Sequence, residues 1–199
     1  VLPNAAQQVM LASARHPARV HVAVVGQGFE VRIDSGAAIL RQELVCNFAT
    51  NPADASMFLL SSEAMLAQWL RRAAALSQAL PNQSVMVFEQ QVQSDLAQMP
   101  PLAAQSTEVQ RMVRQRVGQQ AYRQAMLDYW GAACAVTGLA LVQALRASHA
   151  KPWAQCDTDA ERLDVHNGFL LSANLDALFD KFLISFSAEG DLLMSEHIA

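Results

Sequence analysis

Arg146-Ala147-Ser148-His149-Ala150-Lys151-Pro152-Trp153, then Asn167-Gly168-Phe169-Leu170-Leu171, then Leu175-Asp176-Ala177-Leu178-Phe179-Asp180 are the stretches on which the reading of this chain turns. Residues 139–149 are apolar and strand-like and end on His149. A polar loop with Pro152 fills 150–166. Residues 167–173 read as a second short strand, and 174–181 as a short helix that Asn174 can cap. Strand, loop, strand and helix in this order can form a cradle for metal and base. Asp176 and Asp180 stand at i and i+4, so both carboxylates face the same way. A hard divalent cation takes oxygen ligands and keeps positions for water and phosphate. A neutral imidazole beside it can take a proton from an attacking water. Asn167 can orient the His149 ring through its side-chain amide or its carbonyl.

Outward from that core, residues 107–130 have the pattern of a long amphipathic helix, in which Gly118 is a point where it could break. Ser106 or Thr107 can cap it, and Gly131 stands where a C′ glycine belongs. Residues 183–186 and 192–194 flank Ala188-Glu189-Gly190-Asp191 as a hairpin. On the other side, Met99-Pro100-Pro101 and Ala103-Ala104-Gln105-Ser106 have the composition of a linker. The expected division is therefore residues 1–100 and 106–199, and a 106–199 fragment is expected to fold alone. In the first part, residues 18–34 alternate as a hairpin turning at Gly26-Gln27-Gly28. Residues 38–47 are apolar without a clear period, and Asn51-Pro52-Ala53-Asp54 is a turn or helix start. Residues 61–80 read as a helix capped by Ser61 or Ser62 and stopped by Pro81-Asn82, and 84–89 read as a strand.

Together with Arg116-Val117-Gly118-Gln119-Gln120-Ala121-Tyr122-Arg123 and Cys134-Ala135-Val136-Thr137-Gly138, the quoted stretches resemble the successive signatures of bacterial HNH endonucleases. The resemblance covers about half of the chain, in the branch with an ASH-x-KPW strand end and an NG-x-LL…D-x-LFD second half. It implies a ββα-metal fold, with His149 as general base and Asn167 as the motif Asn. Asp176 stands where many relatives carry the final His, and Asp180 matches the Asp that closes LFD. Two departures stand out: Ser148 occupies a position that is often Asp or His, and Phe182 one that is usually Gly. The fold class is thus α+β, a carboxy-terminal ββα-metal nuclease domain behind a small mixed amino-terminal domain.

Composition sets the remaining bounds. With 52% apolar and 16% charged residues, the chain is globular rather than disordered. No uninterrupted apolar stretch is long enough for a membrane span. Three dispersed cysteines argue against a disulfide framework, and no CxxC pair is present for a four-cysteine zinc site. With no signal-like start, a cytoplasmic setting is expected. The net charge of −4 is unusual for a DNA-binding protein, and residues 106–199 hold eight Lys/Arg against eleven Asp/Glu. Basic residues are clustered, however: Arg111, Arg114, Arg116 and Arg123 form a run without an acidic interruption.

The expected function is metal-dependent hydrolysis of DNA phosphodiesters, in a restriction or defence setting. Catalysis is assigned to His149 and Asn167, metal ligation to Asp176 and Asp180, and phosphate contact to Arg146, Lys151, Arg116 and Arg123. The ion is Mg²⁺ or Mn²⁺, with Zn²⁺ as the alternative, and the partner is DNA, with a homodimer among the compatible assemblies. Two rivals are a catalytically decayed HNH-fold DNA-binding module and an interbacterial nuclease toxin. Each element also has a bland reading. A lone strand-end histidine is usually structural, an i, i+4 aspartate pair is usually a wet helix face, and Trp153 and Cys134 read as core packing.

Overall fold

The computed structural model describes residues 2–3, 8–13, 16–34, 38–51, 54–80 and 83–198, so the expected turn at Pro52-Ala53 and stop at Pro81-Asn82 lie outside the described residues. The architecture is α+β, in two compact units, Val1–Gln83 and Ser84–Ala199.

The first unit is a six-stranded antiparallel sheet with two helices. Its strands are β1 (Leu2–Pro3), β2 (Gln8–Ser13), β3 (His16–Val25), β4 (Gly28–Ile33), β5 (Thr50–Asn51) and β6 (Asp54–Leu60). They lie in the order β1-β2-β3-β4-β6-β5. The expected hairpin is β3–β4, with Val25 opposite Gly28. Alternation decides its inner face: Val31 and Ile33 are buried while Arg32 is exposed. The ambiguous 38–47 stretch forms helix α1 (Ala38–Val45), which buries Leu40 and Leu44 one turn apart. Helix α2 (Glu63–Ala79) starts at Ser62, whose hydroxyl accepts the Met65 N–H. It buries Trp69, Ala73 and Leu76, and Trp69 meets Phe58 of β6 edge-on at 5.2 Å.

The second unit begins earlier than the composition suggests. Residues 84–89 are not a strand but the start of helix α3 (Gln83–Ala97). The alternating valines Val85 and Val87 suggest period two, yet the buried residues are Ser84, Phe88 and Val92, four apart. The stretch read as a linker holds the short helix α4 (Pro101–Ala104). Helix α5 (Thr107–Tyr129) follows, capped by Ser106. It runs unbroken through Gly118, which is buried because the Trp153 and Phe88 rings lie against it and a Cβ there would collide with Trp153. Arg114 of α5 sits over the Phe88 ring at 5.0 Å and pairs with Glu89, and Arg116 pairs with Asp95. These contacts tie α3 to α5 and explain why the division falls at Gln83/Ser84 rather than at 100–106. Trp130 caps α5, and Gly131 takes the left-handed C′ conformation at φ 62°.

Against α5 lies a two-stranded sheet of β7 (Leu145–His149) and β8 (Gly168–Ser172). The strand expected over 139–149 is confined to its last five residues, because 142–144 form a 3-10 turn and Leu139, Leu141 and Val142 are exposed. Helix α6 (Asp159–Arg162) lies in the intervening loop. Helix α7 (Ala173–Phe179) follows β8 directly, and the hairpin β9 (Ile184–Phe186) and β10 (Leu192–Met194) closes the unit. Ser172, not Asn174, is the α7 cap residue; its hydroxyl donates to Asn174 Oδ1 at 2.7 Å. Leu145, Leu163, Val165, Leu170 and Leu171 are fully enclosed, each contributing roughly 1.5–3 kcal/mol of burial. Cys134 is more than a small apolar filler. Burial pushes its thiol up, but hydrogen bonds with Thr137 and with the Val136 and Ser172 backbone outweigh that and bring it to about 7.

Candidate active site

His149 ends β7 opposite Gly168. Its Nε2 lies 2.9 Å from the Arg162 carbonyl oxygen. A carbonyl can only accept, so Nε2 carries the proton and a neutral ring leaves Nδ1 as its basic nitrogen. One face of the imidazole lies on Tyr122 of α5, centroids 3.8 Å apart and planes 21° from parallel. Trp153 abuts it edge-on at 5.7 Å. Burial lowers the His149 pKa, partly offset by the Arg162 bond, so the enclosed ring favours its neutral form.

Asn167 makes no hydrogen bond to that ring. Its Oδ1 accepts the Lys151 N–H at 2.9 Å, and its Nδ2 donates to the carbonyls of Lys151 (3.3 Å) and Glu161 (3.2 Å). The side chain thus fastens both ends of the loop that presents the Arg162 carbonyl. Its own carbonyl accepts from Ala150 N–H at 2.9 Å and from the Tyr122 hydroxyl at 3.2 Å. The role expected for Asn167, direct orientation of the imidazole, therefore passes to Arg162 and Tyr122, with Asn167 holding both. Gly168 permits this closeness, since a Cβ there would run into the Ser148 carbonyl and the Tyr122 hydroxyl. Arg162 is fixed in turn through its guanidinium, which donates to the carbonyls of Trp153 and Cys156 and pairs with Asp159.

His149 borders two clefts. One, of about 330 Å³, brings it together with Asp176, Arg123, Arg146 and Gln119. The two arginines anchor on backbone carbonyls at the start of β7: Arg123 on Val142 and Leu145, Arg146 on Gln143 and Leu145. The other cleft, of about 370 Å³, is lined by His149, Asp180 and apolar residues of α7 and the final hairpin. Asp180 is raised by burial and by the charge of Asp176. The Ser148 hydroxyl donates to Asp176 Oδ1 at 2.6 Å, so the residue at the position that is often Asp or His is bonded to the expected ligand.

Two of the four cations expected at phosphate line neither cleft and are ion-paired. Lys151 pairs with Glu161 at 2.6 Å, and Arg116 with Asp95 at 2.8 Å. Tyr122 and Gln119 lie within the quoted 116–123 stretch, which announces no role for them, and the Arg162 carbonyl has no signal in the sequence. Among the described residues no group of three or more His, Cys, Asp or Glu side chains converges in a way that could hold a metal ion. No helix of the described residues is long and apolar enough to cross a membrane.

A search of curated proteins finds no match to this chain. The family model described as HNH endonuclease matches residues 134–187, a span that contains β7, β8 and α7 with His149, Asn167 and Asp176. Residues 134–187 of this chain are an HNH nuclease domain.

Proposed function

We propose that this domain hydrolyses phosphodiester bonds in DNA with the aid of a divalent cation, and that His149 is its general base. The observation that carries the reading is the 2.9 Å contact of Nε2 with the Arg162 carbonyl, which favours the proton on Nε2 and leaves Nδ1 to accept one. The Tyr122 face and the Trp153 edge hold the ring in one orientation. Effective proton abstraction needs that fixed geometry before it needs a tuned pKa. Arg123 and Arg146 border the same cleft and would neutralise the phosphate oxygens. Asn167 acts at one remove, by closing the loop.

The donor set suits one kind of ion. Asp176 and Asp180 supply carboxylates, and Ser148 a hydroxyl, without a cluster of three protein ligands among the described residues. Mg²⁺ or Mn²⁺, which keep waters and share their shell with substrate phosphate, fit such a sparse set. Zn²⁺, which asks for three or four His, Cys or carboxylate donors, does not. When bound, the ion would stabilise charge on the phosphate and on the leaving oxygen.

Ser148 favours one second reading, a DNA-binding module whose catalysis has decayed. The test is supercoiled plasmid incubated with the protein and Mg²⁺ or Mn²⁺. Nicked or linear product that a chelator abolishes supports the nuclease. Binding without any cleavage across both ions supports the module. The first unit is proposed to select the target, as in a restriction or defence enzyme.

A further inference from the structure

Phe182 follows α7 with φ 57°, in the left-handed region. Its N–H donates to the Phe179 carbonyl and the next N–H, of Leu183, to the Leu178 carbonyl, both at 2.9 Å. This pair of bonds is a Schellman motif, and Phe182 occupies its C′ position, the one that glycine fills without a Cβ penalty. The side chain gains little within the protein in return, because Phe182 is 84% exposed. A costly backbone position thus presents a large aromatic ring to solvent, at the rim of the cleft that also contains His149, Asp180 and Pro152.

Resting on the nuclease reading above, we infer that Phe182 stacks on a nucleobase of the substrate next to the scissile phosphate. His149 stands between two clefts of different character. Arg123 and Arg146 line one beside Asp176, which suits phosphate; Phe182, Phe186 and Ile184 form an apolar wall of the other beside Asp180, and that wall suits a flat group. A nucleotide offers both groups at neighbouring positions. Every base has a π-face once its step is opened, so an exposed aromatic wedged there anchors the strand without selecting its sequence. Strain in the free protein that is compensated only in the complex is a recurrent property of ligand-contacting residues.

Phe182→Gly separates this role from a structural one. Glycine suits the left-handed site, so the melting temperature of the full-length variant should rise or hold. Its KM and dissociation constant for plasmid DNA should nevertheless increase roughly tenfold, the scale of one base–aromatic stack. Phe182→Trp should restore both constants to near wild type, and Phe182→Leu should not. If wild type cuts plasmid and Phe182→Gly cuts it with unchanged constants, the stacking inference is overturned and the nuclease reading stands. A wild type that neither binds nor cuts DNA overturns both. A Phe182→Gly variant that loses affinity together with its melting transition is decided by the other pair: equal affinities of Phe182→Leu and Phe182→Trp overturn stacking, and a difference in favour of Trp upholds it.

Discussion

The His149 imidazole lies flat on the Tyr122 phenol, 3.8 Å between centroids, and the Tyr122 hydroxyl donates to the carbonyl of Asn167, the residue next to the strand partner of His149. A residue of a long helix thereby sets the plane of the proposed base. Tyr122→Phe keeps the stack and removes one hydrogen bond, so it should cost about 1 kcal/mol of stability and little kcat. Tyr122→Leu keeps most of the apolar volume but frees the ring, and kcat should fall at least tenfold while DNA affinity holds. Steady-state cleavage and thermal melts of the two variants check this; equal kcat in both would show that the stack does not position the base.

The same enclosure fixes a pH dependence. A general base at His149 must be neutral, and protonation would remove it as pH falls through its pKa. Burial lowers that pKa, so the acid limb of kcat/KM should lie below about 6.5, the value of a solvated imidazole. The sign for stability agrees: the unfolded chain takes up this proton more readily, so acid below that value weakens the fold. Tyr122→Leu, by admitting water to the ring, should move the limb upward. A wild-type limb above the ordinary imidazole value would contradict the proposed base or its burial.

Metal dependence should follow Asp176. Asp176→Ala is expected to raise the Mg²⁺ concentration for half-maximal cleavage by at least about tenfold, with partial rescue at high Mn²⁺. Ser148 is buried and bonded to Asp176, so Ser148→Asp sets a second carboxylate beside the first. Its melting temperature should drop without metal and recover with Mg²⁺, by linkage of binding to folding. A melt of this variant indifferent to Mg²⁺ would place the ion elsewhere.

The division of the chain predicts which fragment folds. Phe88 and Val92 of α3 are buried in the second unit, each about 1.5–3 kcal/mol of burial. A fragment of 84–199 should therefore melt cooperatively, and one of 106–199 should melt lower or not at all by circular dichroism. Equal melts would mean that α3 is dispensable and the boundary lies near residue 100.

Much of this was legible because the signals are local. Ser62 before an apolar period of 3.6 marks α2, and alternation marks the β3–β4 hairpin. Four residues named from the motifs, His149, Asp176, Arg123 and Arg146, line one cleft. What stayed hidden depends on distant partners. Val85 and Val87 suggest a strand until Arg114 and Gly118 of α5 supply a surface for Phe88. Lys151 looks free for phosphate until Glu161, across the loop, takes its charge. The Arg162 carbonyl, which fixes the tautomer, is a backbone group that no side-chain identity announces.

The central claim is that His149 removes the proton from the attacking water, and the most direct measurement is plasmid cleavage by His149→Ala beside its DNA affinity. The variant should lose roughly 10²–10⁴-fold in kcat, the range of general-base catalysis, with an unchanged dissociation constant and a cooperative melt. Cleavage within about fivefold of wild type, in a folded variant that binds DNA equally well, would contradict it.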